Sequence, residues 1–71
     1  MLMAPRYPNI RVRLHSRNPY AMVSAVRSAL RHSRVDADEI RRFSDEALVD
    51  EEPRRVQTVC ASWADVDVDV A

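Results

Sequence analysis

Glycine does not occur anywhere in these 71 residues. Its absence removes the G-x-G-x-x-G dinucleotide fingerprint, the phosphate-cradling P-loop and the EF-hand turn, because each needs a backbone that only glycine permits. Lysine is missing too: all eleven cations are arginines, and eleven carboxylates balance them to a formal net charge of zero. No global field therefore draws the chain toward nucleic acid or anionic lipid, and any basic surface has to be local. Arginine without lysine, alongside abundant Ala, Val and Asp, is what GC-rich codon usage produces and points to a high-GC bacterium or its phage. The only cysteine, Cys60, cannot form an intramolecular disulfide and fits a reducing cytoplasm. No run approaches the ~18 apolar residues of a membrane span, and the first eight residues lack the apolar stretch of a signal peptide. The expectation is a soluble, cytoplasmic protein without membrane contact.

A chain of this length holds one domain and buries only about 60% of the surface its unfolded form exposes. Residues 1–8 read as a flexible arm and 9–71 as the domain. Asn9 to Leu14 alternates, with Ile10, Val12 and Leu14 on one face and Arg11 and Arg13 on the other, the period of a half-buried strand. Asn18 and Pro19 make a helix start, and Met22, Val23, Val26, Ala29 and Leu30 then fall on one side of a helix running to His32. His32, Ser33 and Arg34 must turn the chain without glycine, so one of them is expected in a left-handed backbone.

Asp36, with Glu39 three residues on, predicts a capping box for a second helix over Ala37 to Leu48, supported by an Asp38–Arg42 ion pair and a Val35–Ile40 staple. Asp50, Glu51, Glu52 and Pro53 suit the start of a third helix, whose core stripe is Val56, Val59, Cys60 and Trp63. From Val66 to Val70 the period becomes two, and valines alternate with Asp65, Asp67 and Asp69. The predicted class is α/β in the α+β sense: one β-α-α-α-β domain, three helices on a two-stranded sheet formed by the terminal strands. If the helices run back and forth, the strands are parallel and set Arg11 and Arg13 across from aspartates.

The stretches YPNIRVRL, AMVSAVRSALR, DEIRRFSDEA and QTVCASWADV together resemble a group of small uncharacterised proteins of bacteria and their phages. The resemblance spans most of the chain and implies the same element order. None of these stretches is a catalytic signature, and the group brings no activity, substrate or site residue with it. Its members have glycines at the first strand-to-helix turn and before the third helix, where this chain has HSRNP and VDEEPRR, so those two loops are expected to differ in shape.

Candidate chemistry is sparse. A cysteine nucleophile needs an exposed thiol beside His15 or His32, whereas Cys60 falls on an apolar stripe. One Cys and two distant His do not make a zinc site, and the Asp65–Asp69 alternation reads as a solvated strand face. Carboxylates at 50–52 stand where a helix start favours them. No catalytic residue, metal or cofactor is expected. What remains is charged faces and open strand edges, so the reading is a non-enzymatic accessory or interaction protein that binds another protein through a sheet edge or helix face. Arg27, Arg31, Tyr20, Arg11 and Arg13 are the candidate surface. Open edges also invite a second copy, hence a homodimer. The alternative is DNA binding, with the second and third helices as a helix-turn-helix and Arg54, Arg55, Gln57, Thr58 and Ser62 as its recognition surface; neutral net charge and the carboxylates beside it weigh against that.

Overall fold

The computed structural model of the protein describes residues 4–69. Its elements are β1 (Tyr7–Leu14), α1 (Pro19–His32), α2 (Ala37–Ala47), α3 (Pro53–Trp63) and β2 (Ala64–Val68), the expected β-α-α-α-β order. Asn18 starts α1 by accepting the backbone N–H groups of Tyr20 at 2.9 Å and Ala21 at 3.2 Å, with Pro19 in the first turn, where its missing N–H costs nothing. The helix ends in a Schellman motif. Val35 donates to the Leu30 carbonyl and Arg34 to that of Arg31, both at 3.0 Å. This motif requires one left-handed residue, and Arg34 supplies it at φ 62°.

The start of α2 departs from expectation. Asp36 accepts from the Asp38 N–H at 2.9 Å, but Glu39 does not return the bond of a capping box. Its half-buried carboxylate turns to Arg6, to the Tyr7 hydroxyl at 3.1 Å and to Arg42 at 3.7 Å. The predicted Asp38–Arg42 pair is thereby replaced by Glu39–Arg42, since a carboxylate partly withdrawn from water attracts a cation more strongly than the fully wet Asp38 does. At its far end α2 stops at Ala47, one residue short of expectation, with Leu48 as cap. For α3 the cap is Glu52, which accepts the Arg55 N–H at 3.1 Å. No loop follows this helix: Trp63 is its last residue and Ala64 the first of β2.

Parallel pairing sets Arg11 opposite Asp65, Val12 opposite Val66, Arg13 opposite Asp67 and Leu14 opposite Val68. Asp69 extends the ladder by donating to the Leu14 carbonyl at 2.8 Å. Both strands begin earlier than the alternation indicates, at Tyr7 and Ala64, which face each other. Between Tyr7 and Arg11 the register slips, at a place where Pro8 has no N–H to contribute. Of the arm expected over residues 1–8, residues 1–3 lie outside the described part, while Tyr7 and Pro8 belong to β1 and Arg6 donates its N–H to Ser62 at 3.0 Å. Val70 also lies outside the described residues.

The helices cover one face of the sheet. Packing places α1 on β1, α3 on β2, and α2 across α1 and α3. Ile10, Val12 and Leu14 thus meet Met22, Val26 and Leu30 of α1 and Val56, Cys60 and Trp63 of α3, with Phe43 of α2 fully enclosed. Each large side chain so buried contributes roughly 1.5–3 kcal/mol, against about 0–1 kcal/mol for an exposed ion pair such as Arg11–Asp65 at 3.4 Å. Valines hold the sheet, and the charges help select its register. Every buried side chain among the described residues is apolar, counting Cys60, so recognition chemistry is confined to the surface.

Candidate functional site

The five residues singled out as an interaction surface fall in three places. Arg27 and Arg31 lie one turn apart on the wet side of α1, about 6 Å along its axis. Across a groove of about 300 Å³ they face Arg41 of α2, with Ala37, Ile40 and Ser44 completing the lining. Ser24 and Ser28 continue the polar side of α1. Among the described residues none of these three arginines has a carboxylate within salt-bridge distance. Composition alone does not reveal Arg41 as the third member, because nothing local in a sequence says which wet helix faces become neighbours.

Tyr20 stands apart, about 16 Å along α1 from Arg31. Its hydroxyl donates to Glu51 in the α2–α3 loop, and that neighbouring carboxylate holds the phenol above its ordinary pKa. Arg11 and Arg13 occupy the outer face of the sheet, where Asp65 and Asp67 balance them.

The residues of the DNA alternative share α3 but are mostly engaged. Arg55 reaches Asp50 at 3.4 Å. Thr58 donates its hydroxyl to the Arg54 carbonyl at 2.9 Å, and Ser62 donates to that of Val59 at 2.6 Å. Gln57 is half-buried, and Arg54 is an exposed cation on this helix without a salt bridge among the described residues. The loop carboxylates stay at the surface but are engaged: Asp50 accepts the Glu52 N–H at 3.1 Å, Glu51 takes Tyr20 and Glu52 caps α3.

Local patterns also miss a cluster around Trp63. The Arg6 guanidinium lies 5.0 Å from the centroid of its ring, Tyr7 stacks at 6.3 Å and Phe43 meets it edge-on at 5.7 Å. Glu39 binds both Arg6 and Tyr7, so residues from β1, α2 and α3 are joined at one corner. Cys60 is fully buried nearby on α3, and burial pushes its thiol up to about 11. Such a thiol is protonated and inaccessible at neutral pH. Among the described residues, no three His, Cys, Asp or Glu gather as metal ligands, and no helix is long and apolar enough to cross a membrane.

Compared with protein-family models, with curated proteins and with solved structures, the chain matches none.

Proposed function

We propose that this chain is a non-enzymatic interaction domain that binds an acidic, amphipathic segment of another protein in the α1–α2 groove. One observation carries the reading: Arg27, Arg31 and Arg41 converge from two helices around a partly apolar floor, with no carboxylate within salt-bridge distance among the described residues. Carboxylates of a partner would meet the arginines while its apolar side chains cover Ile40 and Ala37. Phosphodiester fits less well, because it has no use for an apolar floor. Complementary charge of this kind speeds encounter and selects partners more than it tightens the complex.

A buried, protonated Cys60 supports the non-enzymatic part of the reading. Arginine-only cation usage points to a high-GC bacterium or its phage as the source, and the lone thiol fits the cytoplasm.

The test is a comparative pull-down from lysate of a high-GC bacterial host, treated with nuclease, using three baits: the natural chain, Arg27→Glu with Arg31→Glu, and Arg54→Glu. Proteins held by the natural chain should be released by the double reversal and retained by Arg54→Glu. Identical proteins on the first two baits would overturn the reading. So would a chain that shifts duplex DNA at micromolar concentration and loses that shift with Arg54→Glu, the behaviour expected of the helix-turn-helix alternative.

A further inference from the structure

We propose that the α2–α3 end of the molecule is a self-complementary contact for a second copy of this chain, with Val49 of each copy seated in the groove of the other. The face is separate from the α1–α2 groove, and the inference does not depend on it. Val49 is 83% exposed and Leu48 37%, making this loop the main apolar projection of the described surface beside Tyr20. Tyr20 holds Glu51, Arg55 holds Asp50 and Glu52 caps α3, so the loop's surface carboxylates each have a partner while the side chain of Val49 projects into water.

Val49 forms part of the rim of a groove of about 400 Å³ whose lining also includes Ala47, Val59 and the paired Asp50 and Arg55, with Glu46 on the α2 wall and Arg54 on the α3 wall. Neither Glu46 nor Arg54 has a salt-bridge partner among the described residues. A projection next to a recess, flanked by one free charge of each sign, is what an isologous contact requires. A two-fold rotation puts each Val49 into the other groove and sets Glu46 against Arg54 twice.

Sheet edges suit a second copy less well. Two β1 edges joined about a two-fold would crowd Arg11 and Arg13 against their own images, and two β2 edges would do the same with Asp65 and Asp67, arrangements that like charges disfavour. A standard interface buries ~800 Å² per partner, roughly 15% of this molecule's 5254 Å². A patch built on one loop and two helix ends is smaller, so the dimer is weak, half-associating between about 10 µM and 1 mM.

Sedimentation equilibrium of the full chain across that range tests the proposal. The natural chain should rise in mass from one copy toward two. Val49→Glu and Arg54→Glu should each weaken association at least ~10-fold, with unchanged circular dichroism because both sites are exposed. Adding Glu46→Arg to Arg54→Glu restores opposite charges and should recover association to within about threefold of the natural chain. Both swaps place favourable signs at their helix ends, so folding is not at stake. A natural chain that stays single throughout, a Val49→Glu dimer as tight as the natural one, or a charge swap without rescue would overturn the inference.

Discussion

Replacing Arg34 with glycine should make this protein more stable, although it removes a whole side chain. Arg34 sits at φ 62° because the Schellman bonds from Val35 to Leu30 and from Arg34 to Arg31 require a left-handed residue there. For a residue with a Cβ that conformation costs about 1–2 kcal/mol. Glycine removes the cost and keeps both backbone bonds, but it loosens the unfolded chain and so returns about 0.4–1 kcal/mol. The net gain is about 0.8 kcal/mol, which for a domain of this size raises Tm by about 3–6 °C. Arg34 is exposed and has no salt bridge among the described residues, so little interaction is lost. Arg34→Ala is the control, because alanine keeps the Cβ and should leave Tm nearly unchanged. Thermal and urea unfolding followed by circular dichroism would measure both variants, with an unchanged m-value showing that only stability moved. A glycine variant that melts no higher, or an alanine variant that gains as much, would refute the strain argument.

Three further outcomes follow from the packing. Trp63→Ala removes the ring that Arg6, Tyr7 and Phe43 share and should cost about 3–5 kcal/mol, most of the stability of so small a domain; far-ultraviolet dichroism should show a largely unfolded chain, and a Tm within a few degrees of the natural one would contradict the assignment. Cys60 should resist thiol reagents at neutral pH until the chain unfolds. Its raised folded pKa contributes stability that is fully present below the ordinary value of 9.0 and is lost as pH rises through about 11, so urea midpoints should fall over that window and a Cys60→Ala variant should lack this part of the decline. Deleting residues 66–71 removes most of β2 and uncovers β1, so cooperative unfolding should disappear; a truncated chain with unchanged stability would show that the parallel pairing holds little.

Much of the fold was legible because its signals are local. Asn18–Pro19 and Asp36 mark helix starts by capping chemistry, and the change from 3.6 to 2 after Ala64 marks the return to strand. Element ends were less legible. β1 reaches back to Tyr7 because that ring packs on Trp63, a contact 56 positions away that alternation does not register. The capping box failed for a similar reason: Glu39 has the right spacing from Asp36, yet Arg6 and Tyr7 arrive from another element and take its carboxylate.

The candidate surfaces show the same division more sharply. Which residues face water follows from periodicity, and Arg27, Arg31 and Arg54 were identifiable on that basis alone. Which of them stand together does not. Arg41 joins Arg27 and Arg31 only because α2 packs beside α1, while Tyr20, on the same helix as both, is drawn to Glu51 at its opposite end. The amino-acid sequence by itself determined the elements, their order and their apolar faces, because these depend on neighbours within one turn or two residues. Only the tertiary structure decided that three arginines share a groove, that Glu51 meets Tyr20 and that Val49 is left facing out, because these depend on which surfaces the buried core brings side by side.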